Sequence, residues 1–274
     1  VIGHVAAATS TIRVGAGGIM LPNHSPLVIA EQFGTLEALF PGRIDLGLGR
    51  APGSDQRVAA ALRRNLDTNP DAFPRDVVEL QSYLAGDGRT GIKATPGAGA
   101  KVPLYILGSS LFGAQVAAVL GLPYAFASHF APQALDDALA IYRERFQPSE
   151  VLSEPYAICG YNVFAADTEE EAHLLASSMQ QSFVRLRTGQ PGKLPPPVEG
   201  YRESLPPQAA SMLDGVLKAT AIGTPTQVRE QMQAFVDRTN ADELIIAGSI
   251  YDHEKRKRSL TLAAEAFASE PAAA

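Results

Sequence analysis

Glycines inside two strand patterns constrain the fold of this chain more than any other feature. Residues 12–53 read IRVGAGGIMLPNHSPLVIAEQFGTLEALFPGRIDLGLGRAPG, a strand pattern, a helix pattern and a second strand pattern. In the second strand, Ile44, Leu46 and Leu48 share one face, and Gly47 stands on the nearly empty opposite face. Glycine weakens a strand, so such a position marks a bulge or the close approach of a ligand or another backbone. We interpret this stretch as two consecutive parallel strands and their crossover helix, forming part of a pocket.

The connection between these strands carries clear helix signals. Ser25 is a typical N-cap residue, and Pro26 suits the first helical position. Ile29 and Phe33 follow at helical spacing, and a Pro-Gly pair ends the pattern. The sequence therefore predicts a helix that begins directly after Ser25.

Strand and helix patterns alternate along the rest of the chain, with six strands in our count. This alternation predicts an α/β fold with a parallel sheet. A strand with one bulky and one empty face favours a barrel wall over an open sheet covered on both faces. Because a (β/α)8 TIM barrel needs eight units, we predict a barrel that lacks its first strand–helix–strand in this chain. A smaller open sheet is the alternative. We expect one domain over residues 1–274, with an insertion loop around residues 183–208.

Composition excludes several classes of partner. The net charge of -6 and the pI near 5.4 give no electrostatic reason to expect nucleic acid. No apolar run is long enough to span a bilayer. Cys159 is the single cysteine, so an intrachain disulfide is impossible, which suits a reducing compartment. We expect a cytoplasmic protein whose partner is a small molecule.

Candidate binding residues follow two of the strands, where a barrel places its functional side chains. Arg50 is the first cation after the glycine-lined strand and suits a phosphate or carboxylate, or a surface pair with Asp55. Gly108, Ser109 and Ser110 form a strand-to-helix turn that offers N–H groups and hydroxyls to an anion. Ordinary helix capping by serine is the alternative explanation of that turn.

Acid–base groups are scarce in the sequence. The chain has five histidines, and none has metal-ligand spacing to another histidine or to the cysteine. His129, in the run SHFAP after a strand, is the best-placed candidate catalytic residue, although a structural role is the alternative. No nucleophile elbow and no paired carboxylates are found, which indicates that a cofactor carries the chemistry.

The run IRVGAGGIMLP…HSPLVIAEQFGTLEALFPGRIDLGLGRAPG resembles the bacterial-luciferase-like (LLM-class) flavin-dependent monooxygenases. The resemblance continues through PLYILGSSLFGAQVAAVLGLPYAFASHFAP and ADELIIAGSIYDHEKRKRS. It implies a TIM barrel that binds FMN, supplied in reduced form by a separate flavin reductase, and uses O₂ to oxygenate a small organic substrate.

The same resemblance assigns residues to the cofactor. Gly17 and Gly18, with Ala16 beside them, match a small pair whose cis peptide bond supports the flavin ring. Arg50 matches an arginine on the phosphate side, and Gly108, Ser109 and Ser110 match the phosphate-binding turn. The family's homodimer packs through segments that correspond to residues 1–9 and 25–40.

Two departures from the family pattern limit the inference. The family strand with an acidic–His–His motif, which supplies its principal catalytic histidine, would lie before residue 1. Gly49 stands where luciferase has its active-site cysteine, which argues against light emission. Two alternatives remain open within the same fold, an F420-dependent oxidoreductase that transfers hydride and a non-catalytic flavin-binding barrel.

Overall fold

The computed structural model describes residues 1–50 and 72–268 of the 274-residue chain. Asp55, the predicted surface partner of Arg50, lies outside the described residues. The chain folds into two compact units, one built from residues 1–125 and 140–156, the other from residues 126–139 and 157–274.

The first unit alternates helices and parallel strands. Its elements are α1 (Ile2–Ala7), β1 (Val14–Met20), α2 (Pro26–Leu39), β2 (Ile44–Gly49), α3 (Phe73–Ala85), β3 (Leu104–Gly108), α4 (Leu111–Leu120), most of β4 (Tyr124–Phe126) and the end of α5 (Leu135–Arg145). The strands follow the order β1-β2-β3-β4, and β2 is parallel to both β1 and β3.

Helix α2 and strand β2 form as the sequence predicts. Ser25 is the N-cap of α2 and Pro26 its first residue, while Ile29 and Phe33 face the core. On β2 the bulky side chains of Ile44, Leu46 and Leu48 are fully buried. The apolar face of this strand therefore supplies the centre of the core in the first unit.

The second unit is organised around one long buried strand. Its elements are β5 (Ala157–Ala165), α6 (Glu169–Arg187), α7 (Pro207–Leu217), β6 (Thr220–Gly223), α8 (Pro225–Thr239), β7 (Glu243–Ala247) and α9 (His253–Ala268), together with the start of α5. Strand β5 pairs in parallel with β7 along its first half and with β6 along its second half. All nine residues of β5 are buried.

Two helices of this unit begin with side-chain caps. The Thr168 hydroxyl accepts a hydrogen bond from the Glu171 backbone N–H at 3.2 Å, at the start of α6. Thr224 and Gln227 form a capping box at the start of α8. These caps satisfy N–H groups that have no partner inside the helix.

The predicted strand count was wrong, because the described residues contain seven strands. The strand that sequence analysis missed is β6, which has four small or medium residues, Thr220–Gly223, and thus no visible alternation. Helix α6 also extends through Arg187 into the predicted loop over residues 183–208, and α7 begins at Pro207 within it. The residues between these two helices, 188–206, contain no helix or strand.

The α/β class and the parallel sheet that the sequence predicts are confirmed. Within the described residues, none of the helices combines the length and the apolar character that a membrane span requires.

Candidate functional site

The carboxyl ends of three neighbouring strands meet at one edge of the sheet in the first unit. Met20 of β1 lies opposite Gly49 of β2, and Gly49 lies opposite Leu107 of β3. The next residues along the chain, Arg50 and Gly108, therefore leave the sheet side by side. The register brings together two groups of residues that the sequence places far apart.

The glycine pair in β1 forms a local irregularity in this sheet. Ala16 pairs with Leu46 and Ile19 with Leu48, so Gly17 and Gly18 together face the single residue Gly47. The peptide bond between Gly17 and Gly18 is cis, as the family resemblance implied. The sequence predicted a bulge or a close approach at such glycines, and this position of β1 shows the bulge.

Two of these glycines are required by close contact between backbones. A Cβ atom on Gly18 would lie 2.7 Å from the Gly47 carbonyl oxygen. A Cβ atom on Gly47 would lie 2.5 Å from both the Ala16 carbonyl oxygen and Cδ1 of Leu107. The expectation that Gly47 faces empty volume was therefore wrong, because the Leu107 side chain and the β1 backbone fill that space.

Gly17 differs from its neighbours. A Cβ atom there would meet no described atom within 4 Å, and the residue is exposed. Packing within the protein thus gives no reason for the missing side chain at this position. Open space beside the backbone is what a planar ligand needs.

The Arg50 guanidinium lies over the ring of Phe112, with its central carbon 4.2 Å from the ring centroid. Phe112 is the second residue of α4, so this cation–π contact holds the guanidinium at the N-terminal turn of that helix. Among the residues that the structure describes, no carboxylate forms an ion pair with Arg50. A cation at the positive end of a helix dipole is unfavourable by itself, whereas an anion bound there would interact favourably with both the dipole and the guanidinium.

The turn from β3 into α4 presents unused hydrogen-bonding groups. Ser110 is the N-cap of α4, but its side chain makes no capping hydrogen bond, and both Ser109 and Ser110 are exposed. The Tyr124 hydroxyl donates a hydrogen bond to the Ser110 carbonyl oxygen at 3.2 Å and so fixes the turn. Ordinary capping therefore does not account for Ser110, and the first N–H groups of α4 remain available to an anion.

His129 belongs to the second unit, where two hydrogen bonds attach its loop to β5. The Ser128 hydroxyl donates to the Gly160 carbonyl oxygen at 2.6 Å, and the Asn162 amide donates to the His129 carbonyl oxygen at 2.6 Å. The imidazole packs on Gly160, where a Cβ atom would lie 2.0 Å from its Nδ1 atom. Three small or polar residues thus hold this histidine in one position.

The imidazole of His129 is partly buried and incompletely bonded. Its Nδ1 atom is buried and has no hydrogen-bond partner among the described residues. Burial lowers its pKa below the ordinary value for histidine, because desolvation disfavours the charged ring. An imidazole with an unused ring nitrogen can take part in proton transfer.

All seven predicted cofactor residues lie in the first unit: Ala16, Gly17, Gly18, Arg50, Gly108, Ser109 and Ser110. His129 lies in the other unit. Sequence analysis missed the residues that support them, namely Leu107, Phe112, Tyr124, Ser128, Gly160 and Asn162. Asn162 left one visible signal, since it is a polar residue inside an otherwise apolar strand.

Comparison with known proteins places the chain in a family. The sequence pattern described as luciferase-like monooxygenase matches residues 1–242. A luciferase-like monooxygenase of Escherichia coli strain K12 is 51% identical over 263 residues, which cover 96% of this chain and 78% of that protein. The N-acetyl-S-alkylcysteine monooxygenase of Bacillus subtilis strain 168 is 29% identical over 276 residues, covering 97% and 80%.

Solved structures agree with this placement. Apo-MsnO8 superposes with a TM-score of 0.85 at 35% identity, over 99% of this chain and 82% of that chain. The oxygenating constituent of 3,6-diketocamphane monooxygenase from Pseudomonas putida, in complex with FMN, gives 0.67 at 18% identity, over 100% and 84%. An F420-dependent secondary alcohol dehydrogenase gives 0.63 at 15% identity, over 95% and 82%. The last two likenesses concern the fold alone.

The predicted luciferase-like α/β barrel fold is thereby confirmed, and with it the family that the glycine-rich stretch resembles: this chain belongs to the luciferase-like monooxygenases.

Proposed function

We propose that this chain is a monooxygenase that uses reduced FMN and O₂ to oxygenate a small organic substrate. One observation carries the proposal, namely that Phe112 holds Arg50 at the uncapped N-terminal turn of α4. This arrangement gives a phosphate a guanidinium, several backbone N–H groups and two hydroxyls in one place. The family membership supports the same reading, and one of its fold neighbours was solved with FMN.

The residues of the first unit fit the parts of FMN. Arg50, Gly108, Ser109 and Ser110 would hold the phosphate, because they supply positive charge and hydrogen-bond donors at the end of β3. The open backbone at Ala16, Gly17 and Gly18 would receive the flat ring, since nothing described stands within 4 Å of the missing side chain of Gly17. Reduced FMN, when bound, supplies two electrons, so that one oxygen atom enters the substrate and the other leaves as water.

We assign to His129 the role of proton donor or acceptor in this reaction. The assignment is supported by its unused buried Nδ1 atom, the hydrogen bonds that fix its loop, and its lowered pKa, which burial causes. Such a group contributes most when its pKa lies near the working pH. The lowered pKa keeps the imidazole in its neutral form as the medium becomes mildly acidic.

The remaining elements of the proposal follow the family pattern. A flavin reductase would deliver reduced FMN. Each chain would act as one domain over residues 1–274, and two copies would form a homodimer through residues 1–9 and 25–40. The protein would work in the cytoplasm. F420-dependent enzymes share the fold, so hydride transfer from F420 is the competing function. Consumption of O₂ during turnover separates the two, because hydride transfer from F420 needs none.

Flavin titration tests the phosphate assignment directly. We expect Arg50→Ala to weaken FMN binding at least about tenfold while riboflavin, which lacks the phosphate, binds with nearly unchanged affinity. Arg89→Ala is the matched control, since Arg89 is an exposed arginine in the connection that leads into the opposite end of β3. It should leave the affinity for both flavins unchanged.

The outcome that refutes the assignment is equal loss of FMN and riboflavin affinity in Arg50→Ala. Failure of the unmodified protein to bind either FMN or F420 would refute the proposed function itself. Tight FMN binding without O₂ consumption in the presence of a reductase would favour a non-catalytic flavin-binding barrel.

A further inference from the structure

A separate cavity lies in the second unit, between α6 and the segment of residues 198–203. Its volume is about 450 Å³, within the range of small-molecule sites. All of its lining residues belong to the second unit, and neither the candidate flavin residues nor His129 is among them. Its chemistry therefore has to be explained separately from flavin binding.

Gln180 is the buried polar residue that points to a ligand. It lines the cavity, is 4% exposed, and makes no hydrogen bond with any residue in the described part of the chain. Its neighbours on α6 are used differently, since the Gln181 amide donates to the Pro196 carbonyl oxygen at 2.9 Å and the Ser177 hydroxyl accepts from the Val198 N–H at 2.8 Å. The Gln180 amide atoms keep contact with solvent in the cavity, so a ligand there can form hydrogen bonds with them in place of water.

Part of the cavity lining is apolar. Leu174 on α6, Leu217 at the end of α7 and Ile222 on β6 all line it. Leu217 and Ile222 also pack on the core cluster of this unit, which fixes their positions. An aliphatic chain would therefore find apolar side chains to pack against here.

Carboxylates dominate the charge around the cavity. Glu170, Glu199 and Glu203 line it, while its one arginine, Arg202, is already paired with Asp214 at 2.5 Å. No basic side chain in the described residues forms an ion pair with Glu170 or Glu199. The cavity thus favours a cation over an anion.

The positions along α6 set the length of the ligand. Glu170 and Gln180 are ten residues apart, which corresponds to about 15 Å along a helix. A compact ion would reach one end only, whereas an extended molecule reaches both. The ligand should therefore carry different groups at its two ends.

We propose that this cavity binds an elongated organic amine, with its ammonium group among the glutamates, its aliphatic stem on Leu174, Leu217 and Ile222, and an amide or hydroxyl bonded to Gln180. The ammonium group donates hydrogen bonds and accepts none, which suits carboxylates. The site does not involve flavin, so it can be tested in the absence of any cofactor.

Calorimetric titration of the full chain, without flavin, tests the proposal with matched probes. N-acetyl-1,6-diaminohexane carries the ammonium and the amide, hexylamine lacks the amide, N-hexylacetamide lacks the ammonium, and 6-acetamidohexanoate replaces the ammonium by a carboxylate. We expect the first probe to bind at least about fivefold more tightly than either truncated probe. The carboxylate probe should not bind.

Variants then assign each end of the ligand. Gln180→Leu should make N-acetyl-1,6-diaminohexane and hexylamine bind equally, because the amide loses its partner. Glu199→Gln, at an exposed position, should weaken every probe that carries an ammonium group, whereas Glu154→Gln, an exposed glutamate of the first unit, should change nothing. Circular dichroism confirms that each variant is folded.

The proposal is overturned if N-hexylacetamide binds as tightly as N-acetyl-1,6-diaminohexane, or if the fourth probe, the carboxylate, binds at all. Retention of the amide preference in Gln180→Leu would overturn the role of Gln180. Should Gln180→Leu fail to fold, the Glu199→Gln result decides the ammonium end without it. None of these results depends on FMN, so they are separate from the test of the proposed function.

Discussion

Gly17 and Gly47 stand opposite one another in the sheet, yet we expect substitutions there to have opposite effects. Gly17→Leu should leave the protein folded and greatly weaken FMN binding. Gly47→Ala should lower the free energy of unfolding even in the absence of flavin. The contrast arises because only Gly47 is packed against protein atoms.

The structure sets the size of each effect. A Cβ atom on Gly47 would stand 2.5 Å from two atoms, where ordinary contacts begin at 3.4 Å, so the strands and Leu107 must give way by 0.9 Å (3.4 minus 2.5). Such overpacking costs about 1–3 kcal/mol, which lowers Tm by several degrees. At Gly17 there is no contact to lose, and a residue with less freedom in the unfolded chain adds about 0.4–1 kcal/mol of stability. A leucine in the open space would displace the flavin ring and reduce FMN affinity by about tenfold or more, about 1.4 kcal/mol.

Thermal unfolding of the flavin-free variants and a fluorescence titration with FMN measure the two effects separately. Riboflavin should be lost together with FMN in Gly17→Leu, because both carry the ring, in contrast to Arg50→Ala. Normal FMN affinity in Gly17→Leu would refute the placement of the ring against this glycine. A fall in Tm as large as that of Gly47→Ala would show that Gly17 is needed for folding instead.

Three further predictions address other parts of the molecule. Ser110→Ala should weaken FMN binding several-fold but reduce the free energy of unfolding by less than about 0.5 kcal/mol, because the Ser110 side chain makes no capping hydrogen bond. Thr224→Ala, which removes a capping box, should reduce it by about 1 kcal/mol in chemical denaturation. Equal losses of stability in the two variants would contradict this interpretation. Since the folded pKa of His129 is lowered, the unfolded chain binds that proton first, so stability should fall as the pH drops below about 6.5. His129→Gln should flatten this part of the Tm profile, and an unchanged slope would assign it to other groups. Leu39 is 65% exposed on α2 and should lie in the proposed dimer interface, so Leu39→Glu should convert dimers to monomers in light scattering. A monomeric wild-type protein would contradict the proposed dimer.

Sequence analysis identified candidate binding residues but not the residues that hold them in place. Arg50 and Ser110 were predicted because each follows a strand, and their order along the chain is enough for that inference. Phe112, which holds Arg50, and Tyr124, which fixes the Ser110 turn, act through contacts that leave no periodic signal in the sequence. The same holds for Asn162, which bonds to a loop that lies 33 residues away in the chain.

Local patterns determined the elements themselves. The N-cap and proline of α2, the buried face of β2 and the irregular glycine pair of β1 all depend on residues near one another in sequence, and each was predicted. The short strand β6 was missed because four residues are too few to show alternation, and only pairing with β5 makes them a strand.

The sequence by itself determined the α/β class and the family, and it predicted the residues of the candidate site. Only the tertiary structure decided which glycines are needed for packing and which leaves room for a ligand. The physical reason is that a glycine in the sequence shows only that a side chain is missing, whereas the atoms that a side chain would meet come from neighbouring strands. At Gly47 those atoms belong to Leu107 and the Ala16 backbone, and at Gly17 no described atom lies within 4 Å.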